Sequence, residues 1–100
     1  MSMVTVVKGK VDLRRDNGSL IRTIVTSKAV SADINAAQTH ILITYDGGKV
    51  DLRKENGALV RTIVTSKAAD ARFSGSNIVV RLENGKTELR KENGSLISII

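Results

Sequence analysis

The chain has no cysteine, no proline and no tryptophan, and only one histidine, one tyrosine and one phenylalanine. Without cysteine there is no disulfide framework, no thiolate zinc site and no cysteine nucleophile. A single histidine, His40, leaves any metal site within one chain to be built almost wholly from carboxylates. Scarce aromatics argue against carbohydrate binding, which leans on aromatic faces, and against a stacking platform for single-stranded nucleic acid. No apolar run approaches the ~18 residues of a membrane helix, so no membrane partner is expected. The first eight residues lack the apolar centre and small-residue cleavage site of a secretory signal. The expected location is the cytoplasm, or a virion if the source is a phage.

What remains is 100 residues, 41% hydrophobic and 26% charged, with a net charge of +6. That is the composition of one globular domain rather than of a disordered chain. The dominant feature is an internal repeat. Residues 9–29 recur almost unchanged as 48–68, and residues 85–97 open a third copy. The second offset is two residues shorter than the first, and the difference fits one loop: Ala36-Ala37-Gln38-Thr39 against Gly75-Ser76. Near-identity over twenty residues marks these positions as structural, because one chain rarely needs the same chemistry twice.

The local signals are all β. Asn-Gly occurs four times, at Asn17-Gly18, Asn56-Gly57, Asn84-Gly85 and Asn93-Gly94, and Asp46-Gly47 adds a fifth turn pair. Such pairs tolerate the positive φ of tight hairpins, and short runs of Val, Ile, Leu and Thr lie between them. The spacing predicts four strand types per repeat. Type a covers 29–35 and 68–74, with Val30, Ala32, Ile34 and Ala69, Ala71, Phe73 pointing inward. Type b covers 3–7, 40–45 and 77–82; Ile41-Leu42-Ile43 is apolar on consecutive positions, so both faces should be covered. Type c covers 10–15, 49–54 and 86–91, with Val11 and Leu13 on one face and Lys10, Asp12 and Arg14 on the other. Type d covers 20–25, 59–64 and 96–100. The total is eleven strands and no helix, grouped as an incomplete unit 2–28 and full units 29–67 and 68–100.

The second unit carries a resemblance. Val30-Ser31-Ala32-Asp33-Ile34-Asn35, then Ile41-Leu42-Ile43-Thr44-Tyr45-Asp46-Gly47-Gly48-Lys49-Val50-Asp51-Leu52-Arg53, then Asn56-Gly57-Ala58-Leu59-Val60-Arg61-Thr62-Ile63 resembles a WD40-type β-propeller blade. Leu52-Arg53 stands where that family usually has Trp-Asp, and its Gly-His pair is absent. The likeness extends over nearly the whole chain. It implies an all-β, antiparallel, four-stranded repeat architecture. Propellers close with roughly four to eight blades, and three units would leave two apolar faces in water, beyond what soluble monomers tolerate. Closure by homo-oligomerisation is therefore expected, as a dimer with six blades or a trimer with nine. The alternative is a β-trefoil, which also has three four-stranded repeats and needs one chain only.

Candidate chemistry is sparse. His40 occurs once, at a strand start, with Ser2 or Met3 and Asn77 as counterparts, and has no visible nucleophile or orienting acid. Asp12, Asp51 and Glu88 share one repeat position, and Arg14, Arg53 and Arg90 follow two residues later, a pattern expected to form a ladder of exposed cross-strand ion pairs. Gly47-Gly48-Lys49 lacks the spacing of a phosphate loop. Arg22 and Arg61 hold equivalent positions, as do Lys28 and Lys67, and an oligomer would display them as a basic band able to attract nucleic acid or another polyanion. No catalytic residue, metal ligand or cofactor site is predicted. The function expected is a non-enzymatic structural or protein-interaction module, one version being a component of a phage or bacterial assembly; the alternative is polyanion binding through the basic band.

Overall fold

The computed structural model describes residues 2–100. All pairing is antiparallel. The first sheet is β1 (Ser2–Val7), β2 (Lys10–Arg15) and β3 (Leu20–Val25) in that order. The second is β4 (Ala29–Ile34), β5 (His40–Tyr45), β6 (Val50–Lys54) and β7 (Leu59–Val64). The third is β8 (Ala68–Ser74), β9 (Asn77–Leu82), β10 (Thr87–Lys91) and β11 (Leu96–Ile99). These are the eleven strands that the repeat predicts, with ends moved by a residue: β6 and β10 begin at Val50 and Thr87 rather than at the preceding lysines. Among the described residues no strand is shared between sheets, so the single barrel of a trefoil does not form. The sheets stack face to face as successive blades.

The stacking follows from the apolar pattern. In blade two, Ile41 and Ile43 face blade one and pack with Val11, Leu13 and Ile24. Leu42 and Leu52 of the same blade face blade three and pack with Ala71, Ile78 and Val80. The consecutive apolar residues of β5 are thus covered on both sides, as expected.

The inner strands depart from simple alternation. Val30 is 52% exposed and Ala69 is exposed, whereas Ala29 and Ala68 are buried. Each strand carries a β-bulge at that point, where the register shifts between Ala29 and Ser31 and between Ala68 and Asp70. The extra residue turns the first side chain of the strand to the other face, which corrects the inward set predicted for Val30 and Ala69.

The turns between the third and fourth strand types are alike. Gly18, Gly57 and Gly94 take φ near 90°, at 90°, 92° and 91°. The preceding asparagine accepts the amide two residues on through its side-chain oxygen, at 2.9 Å for Asn17, Asn56 and Asn93. The positive φ therefore falls on the glycine, and the asparagine braces the turn.

The junctions between blades are also duplicated. Lys28 and Lys67 both have φ 70°. The Ala29 amide donates to the Gly9 carbonyl and the Ala68 amide to the Gly48 carbonyl, each at 3.1 Å. A Cβ on Gly9 would lie 2.6 Å from the Lys28 nitrogen, and one on Gly48 would lie 2.2 Å from the Lys67 nitrogen. Glycine is needed at both positions because the connector to the next blade crosses directly over it. The third counterpart, Gly85, has nothing within 4 Å.

Candidate interaction surface

Each third-type strand builds one charged unit. Asp12 is buried; its carboxylate accepts the Thr23 hydroxyl at 2.8 Å, and Arg14 and Lys10 lie 3.3 and 3.6 Å away. Asp51 repeats this with Thr62 at 3.1 Å, Arg53 at 3.6 Å and Lys49 at 3.8 Å. Glu88 pairs with Arg90 at 2.9 Å, but Ile99 stands opposite it in the cross-strand register. The same arginines reach forward to close their own turns: Arg14, Arg53 and Arg90 donate to the carbonyls of Gly18, Gly57 and Gly94 at 2.9, 2.8 and 2.7 Å. The expected ladder of exposed cross-strand ion pairs is thus corrected. The pairs run along one strand, their aspartates are buried, and their partner across the sheet is a threonine. A buried carboxylate needs such satisfied hydrogen bonds. The Thr23 hydroxyl, helped by the charges of Lys10 and Arg14, holds the Asp12 carboxyl below its ordinary range against the opposing cost of burial. Burial, with Asp51 nearby, pushes the Tyr45 phenol up.

The two ends of the stack differ from its interior. On the far face of blade three, Ile97 and Ile100 are 43% and 69% exposed. Their repeat counterparts in blade two, Val60 and Ile63, pack into the core shared with blade three. On the near face of blade one, Met3 and Val7 are 44% and 60% exposed. The residues that hold those register positions in blade two are Ile41, which is buried, and Tyr45, which packs against the same core. Both ends therefore present the type of surface that is buried between blades inside the chain.

No protein-family model matches the chain, and no curated protein matches it. Its structure does have a solved neighbour. It superposes on the crystal structure of BamB from Moraxella catarrhalis, a β-propeller protein, with a TM-score of 0.72 and 18% identity. The match covers 98% of this chain and 32% of that one. The fold is a β-propeller arc. The chain spans about a third of the neighbour's length.

Within the propeller arc the four basic residues singled out from the sequence divide into two pairs. Arg22 donates to the Asn56 carbonyl at 3.4 Å, and Arg61 donates to the Asn93 carbonyl at 3.2 Å. Each ties its blade to the asparagine turn of the next, and Ser98 holds the equivalent place in blade three. Lys28 and Lys67 sit at the blade junctions, where their backbone carbonyls accept the amides of Asp46 and Glu83 at 2.8 and 2.9 Å. Their side chains are exposed. The inter-blade role of the arginines was hidden in the sequence, but its trace is there: Arg recurs in the two repeats that have a following blade.

His40 is half-buried at the start of β5, with its Nδ1 2.9 Å from the Thr39 hydroxyl. It lies opposite Lys54, as Ser2 lies opposite Arg15 and Asn77 opposite Lys91, so Ser2 and not Met3 is its counterpart. This follows from a hairpin in blade one that is one residue shorter, Lys8-Gly9 replacing Asp46-Gly47-Gly48. A cavity of about 340 Å³ lies beside Ser2 and Met3, bounded by Ile34, Ala36 and Gln38. Gln38 comes from the longer loop. Its side chain accepts the Ser2 amide at 2.8 Å and donates to the Ser2 carbonyl at 3.2 Å.

Proposed function

We propose that this chain is a non-enzymatic propeller module that self-associates head to tail and presents a rigid surface to another protein. The observation that carries the reading is the pair of open end faces. Ile97 and Ile100 lie on one, Met3 and Val7 on the other, and the repeat counterparts of all four pack between blades in the interior. A head-to-tail contact of two copies would repeat the blade-on-blade packing already made twice within each copy. Such an interface joins two different faces, so it closes into a ring or continues as an open array. Two chains would supply six blades and three would supply nine.

The test is absolute mass by light scattering on a sizing column at moderate salt. The expected result is a stable multiple of 10.8 kDa. Ile97→Asp and Val7→Asp, at positions exposed in the single chain, should return the mass to one chain without unfolding it. A wild-type monomer across the accessible concentration range refutes the reading.

A further inference from the structure

Among the described residues blade one has three strands where its neighbours have four, and β1 is its inner edge. We propose that this edge is a docking lane for an extended peptide of small residues carrying one carboxylate. In blades two and three the same lane is filled by β4 and β8. The backbone of β1 is set for a partner there. The Asn35 amide donates to the His40 carbonyl at 3.1 Å, which fixes the alternation: His40, Leu42 and Thr44 pair with the inner strand, and the residues between them pair with β6. Ser2, Val4 and Val6 hold the corresponding places in β1.

The first of those places is already served. The Gln38 carboxamide bonds both the amide and the carbonyl of Ser2, as an inner strand would. The amides and carbonyls of Val4 and Val6 face the open edge. A docked strand therefore gains its ladder at Val4 and Val6, with the end of the lane marked by Gln38.

The chemistry of the occupant comes from the contact between the two inner strands that are present. The Asp33 carboxylate accepts the Phe73 amide at 2.8 Å, and the Ser31 hydroxyl donates to the Asp70 carboxylate at 2.8 Å. On the side of blade one, β4 offers the counterparts of those two β8 groups: the Ile34 amide for that of Phe73, and Ser31 for Asp70. Because Asn35 bonds β5, the Ile34 amide points away from that strand. A strand in the lane with an acid at the Asp33 position would accept it. Small residues are required because the lane lies against β4, as β4 lies against β8. This inference rests on the interaction-module reading and names its partner's chemistry; the mass measurement reads the end faces separately, so either can fail alone.

The probe is the synthetic peptide acetyl-AVSADI-amide, which copies residues 29–34 and stops short of the place held by Gln38, titrated into the labelled full chain and followed by amide NMR and hydrogen exchange. Saturable binding with new protection of the Val4 and Val6 amides is expected. Replacing the peptide's Asp by Asn, or N-methylating that residue, should weaken binding about tenfold or more. N-methylating the adjacent Ile, whose amide faces away from β1, should change it little. No protection at millimolar peptide overturns the proposal, as does binding indifferent to the Asp methylation. Protection that grows with protein concentration alone would assign the edge to a second copy and overturn it too.

Discussion

Replacing Gly48 by alanine isolates the energy of one blade junction. Gly48 is buried with φ +88°, and a Cβ there would lie 2.2 Å from the Lys67 nitrogen and 2.9 Å from both the Ala68 nitrogen and the Lys67 Cα. All three atoms are backbone, so relief requires the connector to move. The left-handed conformation alone costs alanine about 1–2 kcal/mol. Forcing the connector away adds about 1–3 kcal/mol of overpacking. It also endangers the Ala68–Gly48 and Glu83–Lys67 hydrogen bonds, each contributing about 1 kcal/mol. The expected loss is about 3–5 kcal/mol, a large share of the 5–15 kcal/mol typical of a domain. Gly85→Ala is the matched control: the same repeat position and φ +90°, with nothing within 4 Å of the added carbon. Its cost should stop at about 1–2 kcal/mol. Urea unfolding followed by circular dichroism, at a concentration where the mass is that of one chain, measures both. Equal losses in the two variants would refute the claim that the connector over Gly48 sets the junction.

Acid should destabilise the fold through Asp12. Its carboxyl is held below the ordinary 3.8, so its contribution is present above that value and is lost as pH falls through the lower folded value. Thr23→Val should flatten the acid limb of stability against pH, read by urea midpoints across the range. Tyr45 gives the opposite limb: its raised pKa means a contribution intact below the ordinary 10.0 and lost as pH rises through the folded value, so Tyr45→Phe should resist base better than wild type. Arg22→Ala with Arg61→Ala removes two exposed inter-blade bonds and should lower stability by only about 1–2 kcal/mol in total. On an anionic column the same double variant separates the readings of the basic residues, because unchanged, salt-insensitive retention would remove polyanion binding. Gln38→Ala exposes the Ser2 backbone and should speed hydrogen exchange at the Ser2 amide while leaving that at Ile43 unchanged.

Much of this was legible because the chain repeats itself. Asn-Gly pairs bracket the outer hairpins, and Ile41-Leu42-Ile43 shows without a structure that a sheet lies on either side of β5. The four-residue loop against the two-residue loop was also readable, since the offset between repeats shortens there; the shorter hairpin of blade one, Lys8-Gly9, was not, because no earlier repeat sets its spacing. Other features do not show in an alternating pattern. Ala29-Val30-Ser31 reads as simple alternation, and only the paired strand reveals the bulge that turns Val30 outward. Asp12 and Asp51 look like solvent-facing charges; their burial depends on a threonine eleven residues away and on an arginine folded back along the strand. The arginine's second task, closing the glycine turn, spans four residues and leaves no mark in the alternating pattern.

The two junctions have a geometric consequence. Both are made by the same Thr-Ser-Lys-Ala connector, with the same lysine φ, over the same glycine. Joints built alike favour a like rotation from blade to blade, so the curvature of the arc is governed largely at these two points. A constant rotation traces a circle of fixed circumference before any partner arrives. In the head-to-tail assembly proposed above, if that circumference is a whole multiple of three blades, copies meet without strain and assembly stops at a defined size. If it is not, each added copy overshoots the last and growth continues as a helix. The choice between a finite particle and a filament would then be set by the angle at Gly9 and Gly48, far from the surfaces that touch.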